Sequence, residues 1–387
     1  MKDKIKALSE KYFPRVVELR RHIHANPELS WQEVETGKLV ATELMRLGIE
    51  VQTRVAKNGV VGLLKGRNPE SHCIALRADM DALPITEENK IDFCSKNTGV
   101  MHACGHDVHT SNLLGVAMIL SEMKDEIEGT IKFIFQPAEE KIPSGAEAMI
   151  QAGVLQNPAP DKIFGLHVSP ELEAGTFGFC GGRFMASSDE IYLKVIGKGG
   201  HAANIAELKN PLLIAAELLI ELKVLSDPQQ PVVLSFGKIE GKGATNVVPD
   251  VVEIAGTLRC FDEDMRMQLH KQIEFICERV TEKYLAHCEV TILKGYPVLI
   301  NNEQLTTDAK AISREYIEGK NVKDIPVRMG SEDFAYYTHH VPACFYRLGV
   351  GNKKLGIMSG LHTPTFNIDE SALKDSIGLM SYLALNA

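Results

Sequence analysis

The first forty-odd residues repeat apolar side chains at helical spacing: Val17, Leu19 and Ile23, then Val40, Leu44 and Leu47. Asn26-Pro27 interrupts the stripe and Gly48 ends it, which predicts helical segments on either side of a break. Short β-type runs follow at residues 60–64 and 74–79. Residues 111–123 read as an amphipathic helix and 130–135 as an apolar strand that stops at Pro137. A short helix at 145–152 and a buried strand at 161–168 come next. Strands alternating with helices predict an α/β layer structure.

From about Ser187 the pattern changes. Residues 191–196 alternate as a strand, 211–225 form an apolar helix, and 232–239 and 251–260 are strands. Residues 264–284 form a long amphipathic helix and 289–293 a last strand. The order β-α-β-β-α-β is that of a ferredoxin-like α+β unit. The economical division is a discontinuous domain, 1–184 and 294–387, interrupted by a smaller one at 185–293.

The interrupted domain carries the chemistry. Met101-His-Ala-Cys-Gly-His-Asp-Val-His109 packs three histidines, a cysteine and an aspartate into nine residues. Imidazole, thiolate and carboxylate are the side-chain donors that hold zinc and its first-row neighbours. Within this run Cys104 and His106 are the favoured ligands, because Gly105 lets the backbone turn closely. The run precedes the 111–123 helix, which predicts a loop, and His102 and His109 read as supporting or packing residues. Glu139 and Glu140 follow an apolar strand, and two adjacent buried acids repel unless a cation lies near. Glu140 is assigned to a metal and Glu139 to a general base. Asp81 either caps a turn or orients a ligand histidine. Single histidines at His167 and His362 add further donors. Asp79, Asp81, Glu139, Glu140 and His167 all lie at or just past the end of an expected strand, where open α/β sheets bind ligands.

Composition narrows the partners. The 387 residues carry a formal net charge of −9, which makes a nucleic-acid backbone a poor partner. No apolar stretch has the length of a membrane span, and the charged start carries no export signal. A cytoplasmic protein is expected, with most of its eight cysteines reduced and buried.

These segments resemble the peptidase M20 family, the dinuclear-metal aminoacylases and carboxypeptidases, and within it the amidohydrolase branch of hippurate and auxin-conjugate hydrolases. The resemblance rests on Arg20-Arg-His-Ile-His-Ala-Asn-Pro-Glu28, Arg77-Ala-Asp-Met-Asp-Ala-Leu-Pro84, His102-Ala-Cys-Gly-His-Asp-Val-His109, Gln136-Pro-Ala-Glu-Glu140, Gly165-Leu-His167, Gly330-Ser-Glu-Asp-Phe334 and His362-Thr-Pro364, in family order over nearly the whole chain. It implies two divalent ions, zinc or manganese with cobalt or nickel open, held by Cys104, His106, Glu140, His167 and His362 with Cys104 bridging. It implies Glu139 as base, Asp81 as orienting acid, and an inserted lid that mediates homodimerisation. His201 and Asn246 match substrate-contacting lid residues, and Arg259 is a candidate for a substrate carboxylate or else a strand-surface arginine. One departure is Lys141-Ile-Pro-Ser-Gly145, where a glycine-rich rim is expected. The implied reaction is metal-dependent hydrolysis of N-acyl amino acids, with a dipeptidase or carboxypeptidase on the same core as the nearest rival. A Cys104-based cysteine hydrolase and a metal-dependent binding protein stand further off.

Overall fold

The computed structural model describes residues 1–226, 231–317, 319 and 321–387. The chain divides into two compact units. Residues 1–182, 300–326 and 333–387 form the first, and residues 183–299 with 327–332 the second.

The first unit is built on an eight-stranded sheet. Its leading strands are β1 (Glu50–Val55), β2 (Gly59–Lys65), β3 (Cys73–Asp79), β4 (Thr130–Gln136) and β5 (Lys162–Glu173). The spatial order is β1-β2-β4-β3-β5, then Ala343–Gly351, Phe177–Phe179 and Val322–Asp324. β3 runs parallel to β4 and β5, and Ala343–Gly351 runs parallel to β5. β1–β2 and β2–β4 are antiparallel, so the sheet is mixed. Every residue of β3 and β4 is buried. Strands covered on both faces read as largely apolar runs, and these two do apart from Arg77 and Asp79 in β3 and Thr130, Lys132 and Gln136 in β4.

Helices α1 (Lys2–Ala25) and α3 (His106–Glu122) pack with each other and with the C-terminal helix Ala372–Asn386, and α2 (Val34–Arg46) packs on α3 and on β1 and β2. Two expectations for α3 are corrected. It is buried on every side from His106 to Leu120 rather than amphipathic, and it starts five residues earlier than its apolar pattern predicts. The first turn consists of buried polar residues, His106, Asp107 and His109, which leave no apolar stripe to read. His106 and His109 therefore sit on a helix and not in a loop. Gly105 begins the helix from the left-handed region at φ 83°, where a Cβ would meet Val168 Cγ2 at 2.5 Å. Gly115 lets α3 approach its neighbours, since a Cβ there would lie 2.6 Å from Val16 Cγ2 and 2.7 Å from Ile377 Cγ2.

The parallel register fixes the functional edge. Asp79 stands opposite Gln136 on β4. Arg77 stands opposite Gly165 on β5, which brings His167 level with Asp79. The chain leaving β3 leads to Asp81, and the chain leaving β4 leads to Glu139 and Glu140.

The second unit has a four-stranded antiparallel sheet in the order Val233–Glu240, Val251–Arg259, Asp189–Ile196, His287–Lys294. Helices Pro211–Leu222 and Glu263–Glu282 complete the β-α-β-β-α-β order. Ile191, Leu193 and Val195 alternate inward and form one core with Ile214, Leu218 and Ile273. At the start of this sheet Asp189 is buried and fully occupied. Arg266 Nε donates to Oδ2 at 2.9 Å and Arg266 Nη2 pairs with Oδ1. His270 Nε2 meets Oδ2 at 2.6 Å, and the Gly295 N–H donates to Oδ1 at 3.1 Å.

Candidate metal centre

Donor atoms of five residues from four separated stretches of the first unit converge beyond the strand ends. Cys104 Sγ lies 3.3 Å from His167 Nε2 and 3.3 Å from His362 Nε2. Glu140 Oε1 lies 3.2 Å from His362 Nε2 and 3.9 Å from His106 Nε2. Two triads, Cys104–His106–His167 and Cys104–Glu140–His362, each hold their donor atoms within 4.8 Å of one another. They share the Cys104 sulfur. Donors at about 2.0–2.3 Å from one ion stand roughly this far apart.

Tautomers orient the lone pairs inward. Asp81 Oδ1 accepts from His106 Nδ1 at 3.2 Å, so Nε2 is the nitrogen turned toward the other donors. The Val168 carbonyl accepts from His167 Nδ1 at 2.8 Å, which again leaves Nε2 free to ligate. Among the described residues His106 Nε2 and Glu140 Oε1 are buried with no hydrogen-bond partner. Orphaned buried polar atoms of this kind call for a ligand. The donor set, one thiol, three imidazoles and a carboxylate, suits a divalent transition metal.

Asp81 does more than orient an imidazole. Its Oδ1 accepts the N–H of Glu139 at 3.0 Å and its Oδ2 that of Glu140 at 3.0 Å, with the Ser30 hydroxyl on Oδ2 at 2.7 Å. Burial raises its pKa, but His106 and these donors outweigh that and hold it low. Glu139 is buried, and its Oε2 lies 4.0 Å from His106 Nε2.

The field in the site is strongly acidic. Burial works to lower the His106 pKa, yet the Asp79 and Asp81 charges push it up to about 10. Burial, with Glu140 and Glu139, drives the Cys104 thiol well above its ordinary value. Burial and then Arg347 hold His167 well below its own. The activated thiolate of a cysteine hydrolase needs the opposite shift.

His109 is excluded as a ligand by its bonding. Its Nδ1 donates to Asp79 Oδ1 at 2.6 Å, and its Nε2 accepts the Val168 N–H at 3.0 Å. Its ring is wedged against His167 at 4.7 Å and His106 at 5.3 Å. Asp79 also receives Arg77 Nη1 at 2.6 Å, and Arg77 Nη2 reaches Asp333 Oδ1 at 2.6 Å. Sequence reasoning singled out the segments carrying Arg77, Asp79 and Asp333 without giving these residues tasks. For Arg77 and Asp79 the signal is charge inside an otherwise apolar run. His102 is buried, and neither ring nitrogen has a partner among the described residues.

The remaining candidates belong to the second unit. His201 pairs in register with Val247, and the Ala202 N–H donates to the Asn246 carbonyl at 3.0 Å, so His201 and Asn246 are neighbours. Both are exposed. Arg259 ends its strand half-buried, donating from Nη1 to the Met329 carbonyl at 3.0 Å, with no acidic partner among the described residues.

The family model "Peptidase family M20/M25/M40" matches residues 75–386, and this chain belongs to that family. An N-acyl-L-amino acid amidohydrolase of Geobacillus stearothermophilus is 43% identical over 307 residues, covering 78% of this chain and 82% of that protein. Thermostable carboxypeptidase 2 of Saccharolobus solfataricus is 38% identical over 377 residues, covering 96% and 94%. Among solved structures, a dinuclear metal binding peptidase of the M20 family from Bacillus subtilis superposes with a TM-score of 0.83. It is 33% identical and covers 97% of this chain and 98% of its own.

Proposed function

We propose that this protein is a metal-dependent amidohydrolase that cleaves the amide bond of N-acyl amino acids, releasing a carboxylate and a free amino acid. The carrying observation is the pair of donor triads that share Cys104 Sγ, with a further buried carboxylate, Glu139, 4.0 Å from His106 Nε2. Cys104, His106, Glu140, His167 and His362 would hold two divalent ions. Such ions polarise a carbonyl and acidify water. Zinc suits the thiolate best, and manganese, cobalt or nickel fit the nitrogen and oxygen donors.

Glu139 takes a proton from the attacking water and returns it to the leaving nitrogen. Asp81 keeps His106 in the ligating tautomer and fixes the backbone of both glutamates. His201 and Asn246 would hydrogen-bond the substrate, and Arg259, lacking an acidic partner, would take its carboxylate. Residues 185–293 would act as the lid. Leu213, Ile220 and Val224 lie exposed along one helix and its extension there, which supports homodimerisation through this unit. All eight cysteines are free, which suits a reducing cytoplasmic setting. No helix among the described residues is long and apolar enough to cross a membrane.

A carboxypeptidase reading draws support from the Saccharolobus solfataricus relative. A panel of acetyl- and benzoyl-amino acids and dipeptides, assayed with defined added metals, decides between them. Turnover confined to N-acyl amino acids supports the amidohydrolase, and preferential dipeptide cleavage replaces it with the peptidase.

A further inference from the structure

Glu33 lies outside the ligand set but is fastened to the segment that carries Glu139 and Glu140. Its side chain is fully buried. Oε1 accepts the Ala138 N–H at 2.8 Å and the Trp31 N–H at 2.9 Å. Oε2 accepts from Asn58 Nδ2 at 3.0 Å. No cation faces this carboxylate among the described residues.

Both backbone partners are unusual. Ala138 has φ 49° and Trp31 φ 67°, in the left-handed region. For a residue with a Cβ that conformation is unfavourable and persists only where the surroundings over-determine it. Here they do. Three successive backbone N–H groups end on buried carboxylate oxygens: Ala138 on Glu33, and Glu139 and Glu140 on the two oxygens of Asp81. Ser30, in the same turn as Trp31, donates to Asp81. Two acids thus hold one short stretch of chain, and only Asp81 also touches a candidate ligand.

We propose that Glu33 is a positioning residue: by holding Ala138 in the left-handed conformation it aims Glu139 and Glu140 at the metal centre. The inference rests on the metal-hydrolase reading above. Trp31, the single tryptophan of the chain, shares the same carboxylate and gives that turn its own optical probe.

The test compares the full chain as wild type, E33Q, E33D and E33A. Mn2+ or Co2+ uptake is followed by Trp31 emission and by metal analysis. Turnover of an N-acetyl amino acid is measured at saturating metal. E33Q keeps an acceptor of the same reach and stays close to wild type. E33A, and E33D with its shorter reach, lose about 10–100-fold in metal affinity, the scale for residues supporting a ligand shell. Their kcat falls while KM moves little, and the metal-induced change in Trp31 emission shrinks. E33D guards against an E33A that does not fold. Wild-type affinity and kcat in E33D overturn the inference, as does E33Q impaired to the level of E33D. Wild-type protein that takes up no ion and cleaves no substrate overturns the hydrolase reading along with it. Normal wild-type uptake and turnover with unaffected variants overturns this inference alone.

Discussion

A lone buried acid in the second unit and a crowd of acids in the first both face histidine and arginine, and they differ in what they leave over. In the second unit Asp189 meets Arg266, His270 and the Gly295 N–H, and both of its oxygens are used. In the first unit Asp79, Asp81, Glu139 and Glu140 crowd the ends of β3 and β4, with Arg77 already shared between Asp79 and Asp333. There, His106 Nε2 and Glu140 Oε1 remain buried without a hydrogen-bond partner among the described residues. Closed bonding identifies a structural cluster. Surplus negative charge with inward lone pairs identifies a site that expects a cation.

The sharpest way to break the contrast is the base. Glu139→Gln should retain its metals by elemental analysis and lose kcat by about 10²–10⁴, the usual span for general acid–base catalysis. Full activity would remove Glu139 from that role. Asp189→Asn should do the reverse. It should destabilise the protein by about 3–5 kcal/mol in urea unfolding, as breaking a buried ion pair does, and leave metal uptake unchanged. Asp81→Asn should lie between, costing roughly 10–100-fold in metal affinity with little loss of fold. Glu140→Gln should abolish full metal loading, read as ions per chain by elemental analysis.

The smallest test is acid titration. Burial pushes the Asp189 carboxyl up, but Arg266 and His270 outweigh it and hold it below its ordinary value. A group depressed in the folded state stabilises fully above its unfolded pKa of about 3.9 and ceases to do so as pH falls below that. Urea midpoints recorded downward from about pH 5 should therefore fall more steeply in wild type than in Asp189→Asn. Parallel curves would show that Asp189 carries no such linkage.

Sequence pattern announced the fold where burial is one-sided or total over apolar residues. β3, β4 and β5 are apolar runs, and Asp189–Ile196 alternates as a half-buried strand should. It failed where buried residues are polar. The first turn of α3 is the clearest case, since His106, Asp107 and His109 are all buried and none adds to an apolar stripe. The strand Ala343–Gly351 is likewise buried throughout, but Arg347, Gly349 and Gly351 blur its signature. The site was legible as a set of donor residues, because thiol, imidazole and carboxylate types stand out in any segment. The bonds that aim them were not. Glu33, Ser30 and Arg77 act through contacts with residues 51 to 256 positions away, and no local pattern encodes such a distance.

The order of the strands has a consequence for how the protein is made. Ala343–Gly351 lies inside the large sheet, between β5 and Phe177–Phe179, although it is translated well over a hundred residues after both. His362 arrives later still. During synthesis the β-α-β-β-α-β unit emerges complete while the sheet that carries Cys104 and His167 still has a gap. A nascent chain therefore cannot close the donor set until the last central strand and then His362 have followed the smaller unit out of the ribosome.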